Sequence, residues 1–190
     1  MCGIAGLIHR GKKSDVGAEM TSMLQALKHR GPDSTGYAVY GAAHEDDYIM
    51  RFILAEQDAM KKSFDMKEKV AERLEEVERL LALHGVVIKQ REHSTDYALR
   101  YVIQHDGDTE TLARHIEDVD GVEILSLGNS LELIKDLGDA GVVAKQYGLL
   151  DFSGTHGIGH TRMATESDVD IRSAHPYWAF PYNDVSVVHN

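Results

Sequence analysis

Charges of both signs crowd into one stretch of this chain, Glu56 to Arg79, and the sequence on either side has a different character. Short apolar segments with glycines precede it, and the last forty residues bring glycine, histidine and aromatic motifs. In a chain of 190 residues such a division fits one domain interrupted by a sizeable insertion, long enough to bury a core.

The charge balance narrows the partners. Asp and Glu number 31 against 20 Lys and Arg, a formal net charge of −11. Phosphate backbones need a basic surface, so no nucleic acid is expected. Apolar residues make up 43% but are dispersed, and no run approaches the roughly 18 residues of a membrane span. The opening MCGIAGLIHRGKK lacks a basic stretch ahead of its apolar one, so it does not read as a signal peptide. Cys2 is the single cysteine, which excludes a disulfide within the chain and fits a reducing compartment. A soluble cytoplasmic protein with no membrane contact is expected.

Periodicity supplies the elements. Cys2 to Ile8 reads as a buried strand. Met20, Met23, Leu24 and Leu27 recur at helical spacing, Lys28, His29 and Arg30 suit the negative end of the helix dipole, and Gly31-Pro32 stops the helix. Gly36–Tyr40 and Tyr48–Leu54 read as strands. Met66, Val70, Leu74, Val77 and Leu81 mark the face of another helix, with Asp65/Lys69 and Glu75/Arg79 as i,i+4 pairs. Beyond it the spacing predicts a strand at Val86–Ile88, a helix at about Thr95–Gln104, a helix at Thr109–Glu117 and a strand at Val122–Leu127. Asn129 with Glu132 resembles a capping box opening a helix that Gly138 closes, before a last strand at Val142–Ala144. This alternation is that of a small α/β or α+β module. The apolar end, Val185 to Asn190, reads as a buried strand with no turn after it, which implies a domain truncated at its C-terminus.

Three segments could carry chemistry. Removal of Met1 would leave a thiol and a free α-amine on Cys2, a nucleophile and a base on one residue. His29 to Gly36, HRGPDSTG, places Asp33 in a turn where it can bond local backbone. Gly157 to Ser167, GIGHTRMATES, holds Arg162, and a guanidinium is the natural bidentate partner of a carboxylate. Taken singly, a buried cysteine, a capped loop and a surface salt bridge explain the three equally well. His156, His160, His175 and His189 invite a zinc reading, but there is no second cysteine, the segment is glycine-rich and no Glu lies between the first two. No metal is expected.

In their order, MCGIAGL, HRGPDSTG, GIGHTRMATES, AHPYW and the terminal HN resemble the class-II glutamine amidotransferases, a branch of the N-terminal-nucleophile hydrolases. The wording is most similar to stand-alone subunits related to the first domain of glutamate synthase. The resemblance implies that Cys2 attacks the carboxamide carbon of glutamine, its own α-amine taking the thiol proton and passing it to departing ammonia. It implies that Arg162 grips the α-carboxylate, that Thr165 and the backbone near Met163 add substrate contacts, and that Asn190 stabilises the oxyanion. Arg30 and Asp33 match the loop beside the nucleophile. Two departures are visible: Met163 stands where many members carry an aromatic residue, and no glycine follows Asn190.

The fold implied is α+β, an N-terminal-nucleophile αββα sandwich truncated at its C-terminus. Residues 1–55 and 149–190 would form the amidotransferase domain and 56–148 an inserted α/β module, for packing or for subunit contact in an oligomer. The activity implied is hydrolysis of glutamine to glutamate and ammonia, with ammonia passed to a synthase domain or subunit. No phosphate loop, dinucleotide fingerprint or flavin motif is present to act on an acceptor, and no cofactor is expected. The alternative is a catalytically inactive regulatory or assembly subunit of the same fold. Removal of Met1 separates the two, because the mechanism needs the free Cys2 amine.

Overall fold

The computed structural model describes residues 2–163 and 171–190. It opens with β1 (Gly3–Ile8) and α1 (Val16–Ala26), whose Val16, Met20 and Leu24 are buried as the helical spacing predicts. A short 3-10 segment, Lys28–Arg30, leads through Gly31 into β2 (Ser34–Tyr40), buried at every position. Then come β3 (Tyr48–Ile53), α2 (Gln57–Lys62), α3 (Met66–Leu83), β4 (Val87–His93), β5 (Ala98–Gln104), α4 (Thr109–Glu117) and β6 (Glu123–Gly128). The chain returns through β7 (Leu131–Leu137), α5 (Ala140–Gln146) and β8 (His156–Arg162), and ends in a ribbon of β9 (Tyr177–Trp178) and β10 (Ser186–Val187).

Two four-stranded sheets result, ordered β1-β8-β2-β7 and β4-β5-β3-β6, with every pair of neighbours antiparallel. The second sheet is a βαββαβ unit of ferredoxin-like strand order, with α2 added ahead of α3. Its core is Phe52 edge-on to Tyr101, with Val77 and Leu81 of α3 and Leu112 and Ile116 of α4 fully buried. The first sheet packs Tyr37 against α1 and α5, the phenol bonding Thr21 and the Ala140 carbonyl.

The two sheets join along β7. Arg51 of β3 and Arg100 of β5 hold Glu132 at 2.6 and 2.8 Å, Lys135 meets Glu123 at 3.0 Å, and Tyr97 donates to Asp136 at 2.5 Å. Backbone N–H groups of β7 that face away from β2 donate instead to side chains: Leu133 to Ser126 and Leu131 to Asp184. Side chains thereby blunt the free edge of the first sheet.

The expected fold is corrected accordingly. In place of an N-terminal-nucleophile αββα sandwich with an inserted module, the chain is α+β with two antiparallel sheets and a short ribbon. The second sheet takes β3 from the segment expected to flank the insertion, and β7, expected inside the insertion, pairs with β2 in the first sheet.

Five local readings are corrected with it. Ala98–Gln104 is a strand, because Leu99, Tyr101 and Ile103 alternate with Ala98 and Val102. Thr95 imitates a helix start, accepting from the N–H of Tyr97 and Ala98, yet it closes the β4–β5 hairpin. Asn129 caps no helix; its amide bonds the carbonyls of His44 and Asp47 in the turn before β7. Val142–Ala144 lies in α5, capped by Asp139 through the N–H of Gly141 and Val142. At the chain end, β10 is two residues long and Val185 and Val187 are about half exposed, so the expected buried strand is not formed. Of the expected i,i+4 pairs, Arg79 meets Glu76 instead of Glu75.

Candidate functional site

β8 lies between β1 and β2, and the register fixes what meets on its face. Gly3, next to Cys2, pairs with Thr161, next to Arg162, and on the other side Arg162 pairs with Ser34. The Arg162 carbonyl accepts from the Asp33 N–H at 3.1 Å. Arg30 donates from Nε to the Cys2 carbonyl at 3.1 Å, tying the loop after α1 to the start of β1. Gly31 is required by close approach: a Cβ there would lie 2.4 Å from the Arg162 carbonyl carbon and 2.7 Å from the Met163 nitrogen. The structure therefore brings Cys2, Arg30, Asp33 and Arg162 together. The Cys2 thiol is half-buried and free, Arg162 is half-buried and Met163 is exposed at the edge. Thr165 lies outside the described residues. Asn190 is exposed at the end of the chain, next to His189.

One step along the same face the row reads Ile4, His160, Gly36 and Lys135. Gly36 makes room for the His175 backbone, whose oxygen would lie 2.0 Å from an added Cβ. His175 thus stands edge-on to His160, with ring centroids 4.9 Å apart, and bonds the backbone of His189. His160 is 1% exposed, and among the described residues neither ring nitrogen has a partner. Burial, assisted by His175 and Arg162, pushes its pKa down to about 4, so the ring is neutral near pH 7. Burial lowers His175 too, with His189 and Lys135 adding to it. Sequence spacing suggests only a metal role for these histidines. Alternation along β8 could have found the arrangement, since His156, Ile158, His160 and Arg162 share one face. Among the described residues no group of three or more His, Cys, Asp and Glu is placed to hold a metal.

Residues 1–127 match the family described as glutamine amidotransferase domain, and the chain belongs to that family. It is 37% identical, over its whole length and 61% of the relative's, to a protein of Methanothermobacter thermautotrophicus provisionally named glutamine amidotransferase. It is 32% identical, again over its whole length and 58% of the relative's, to the glutamine amidotransferase-like protein GlxB of Rhizobium meliloti. The chain thus spans about three fifths of the length of these relatives.

The class expected from the motifs is corrected here. The family shown is the glutamine amidotransferase domain, in place of a class-II N-terminal-nucleophile enzyme, and neither relative is named for glutamate synthase. No helix among the described residues is long and apolar enough to cross a membrane.

Proposed function

We propose that this chain forms a glutamine-hydrolysing site in which Cys2 is the nucleophile and Arg162 binds the α-carboxylate. The Gly3–Thr161 pairing, with Cys2 one residue before it and Arg162 one residue after it, is the observation that supports this reading. The thiolate attacks the carboxamide carbon, the C–N bond breaks, ammonia leaves with the proton taken from the thiol, and water then opens the thioester to glutamate. Thr165 and the Met163 backbone add contacts to glutamine, Asn190 steadies the oxyanion, and Arg30 and Asp33 hold the loop in place. Ammonia passes to an acceptor domain or subunit. Labelling of Cys2 by an electrophilic glutamine analogue, with a glutamate-release assay on the full protein, tests the reading. Cys2→Ala is expected to abolish both, and turnover at the unaltered rate in Cys2→Ala overturns the assignment.

A further inference from the structure

We propose that the cavity where α2, α3 and the β4–β5 turn meet α5 binds a small organic anion, a carboxylate or phosphate on an apolar body, and that its occupancy alters the reactivity of Cys2. The cavity measures about 430 Å³, enough for a metabolite. Met60 and the Tyr97 ring supply its apolar wall, and the Lys61 and Lys67 ammonium groups stand on it against one carboxylate, Asp96. Lys61 makes a 3.4 Å bond to the neutral Gln57 amide and acts electrostatically on the Asp136 carboxylate behind the wall, and among the described residues no ion pair is formed by Lys67. The hydroxyl oxygens are already committed as acceptors: Ser94 accepts from Arg51, and Thr95 from the N–H of Tyr97 and Ala98. Their own hydrogens remain to be donated. A wall of donors with two cations selects an acceptor-rich, negatively charged ligand.

The position of the cavity explains why binding would be felt elsewhere. Three of its walls belong to the βαββαβ unit and the fourth, Gln146, to α5 on the first sheet. Behind the wall, Tyr97 donates to Asp136 of β7, and Gln146 approaches the same carboxylate at 3.4 Å. Asp136 pairs with Thr35 of β2, and the Thr35 hydroxyl donates to the Gly138 carbonyl at 2.8 Å. The Gly138 N–H donates to the Asp33 carbonyl at 2.9 Å, and the Asp33 N–H to the Arg162 carbonyl at 3.1 Å. A ligand that bridges the two halves acts on this chain of bonds by favouring one arrangement of them.

The coupling rests on the reading of Cys2 given above, whereas the binding does not. The full protein is titrated with inorganic phosphate and, separately, with benzoate, with sodium chloride as the ionic-strength control. Two quantities are read: the melting temperature, and the rate at which iodoacetamide alkylates Cys2, followed by mass of the Cys2 peptide. At least one anion is expected to raise the melting temperature saturably and to change the alkylation rate about fivefold. Both responses are expected to vanish in the double variant Lys61→Gln, Lys67→Gln, whose exposed positions leave the fold undisturbed. Response to phosphate alone identifies a phosphorylated ligand, and response to benzoate alone a carboxylate. The proposal is overturned if neither anion gives a saturable rise, if the double variant responds like the parent, or if the melt rises while alkylation stays constant. Labelling by the glutamine analogue is measured alongside, so failure at Cys2 is distinguishable from failure of the cavity.

Discussion

Arg51 of β3 and Glu132 of β7 form a 2.6 Å ion pair with both side chains 6% exposed, and it locks the βαββαβ unit to the first sheet. Arg100 adds a second guanidinium through two bonds to the same carboxylate. Burial alone would raise the Glu132 pKa, but the two arginines outweigh it and hold the group below the usual carboxylate range.

Glu132→Gln is therefore expected to destabilise the protein by about 3–5 kcal/mol, because two guanidinium groups lose their buried counter-charge. The pH signature follows from the sign of the shift. With the folded pKa depressed, the contribution is complete above the ordinary glutamate value, about 4.3, and is lost as pH falls through the lower folded value. Melting curves of parent and variant should converge in acid. A variant as stable as the parent at pH 7 would remove Glu132 as the tie between the sheets.

His160 titrates in a different window. Its folded pKa of about 4 lies below the ordinary 6.5, so the fold favours the neutral ring. Stability from this group is complete above about pH 6.5 and declines toward pH 4, by at most about 3 kcal/mol over the interval. The groups facing it are His175 and Arg162, with Lys135 and His189 beyond His175. His160→Gln should flatten the melting temperature between pH 6.5 and 4. An unchanged slope would place the pH dependence elsewhere.

How far the sequence could be read depended on where polar residues sit. The faces of α1, α3 and α4 were legible because apolar residues recur at helical spacing over exposed polar ones. The strand β7 was not. LELIKDL is buried almost throughout, and its charges are neutralised by partners from Tyr97 to Arg51 that lie far away in sequence. A charged strand buried on both faces looks, residue by residue, like an exposed helix. At the site, Cys2 lies just before β1, Arg30 in the 3-10 segment, Asp33 just before β2 and Arg162 at the end of β8, so local pattern alone could place none but Arg162 in a strand. The edge-on contact of His160 with His175 was not legible, since it depends on the space left by Gly36 on a neighbouring strand.

Asp184 holds the C-terminal segment to the β6–β7 turn. Its carboxylate accepts from the backbone N–H of Asn129, Ser130 and Leu131, and its φ of 56° is left-handed. Asp184→Ala is expected to cost about 1–3 kcal/mol and to loosen residues 171–190, since three donors lose their acceptor. Asp184→Asn should retain part of the effect, because Asn tolerates this backbone region and keeps one acceptor oxygen. Limited proteolysis reads the loosening, and equal cleavage of parent and Asp184→Ala would show that other contacts hold the segment.

Gly31 offers the sharpest test of the site, because its backbone is extended, with a φ of 177°, and any residue could adopt it. Only the approach of Arg162 demands glycine there. Gly31→Ala puts a methyl 2.4 Å from the Arg162 carbonyl carbon, so the 31–33 loop and the Arg162–Met163 backbone must move apart. Glutamine binding should weaken by about tenfold or more, roughly 1.4 kcal/mol, while the thiol itself keeps its reactivity toward a small neutral reagent. Arg162→Lys should show the same pattern, since the ammonium lacks the planar fork that grips a carboxylate. The two variants are compared by KM in the glutamate-release assay and by the rate of iodoacetamide alkylation at Cys2. If KM stays at the parent value in both, Arg162 serves the fold as an ion-pairing residue and the carboxylate is held by another group.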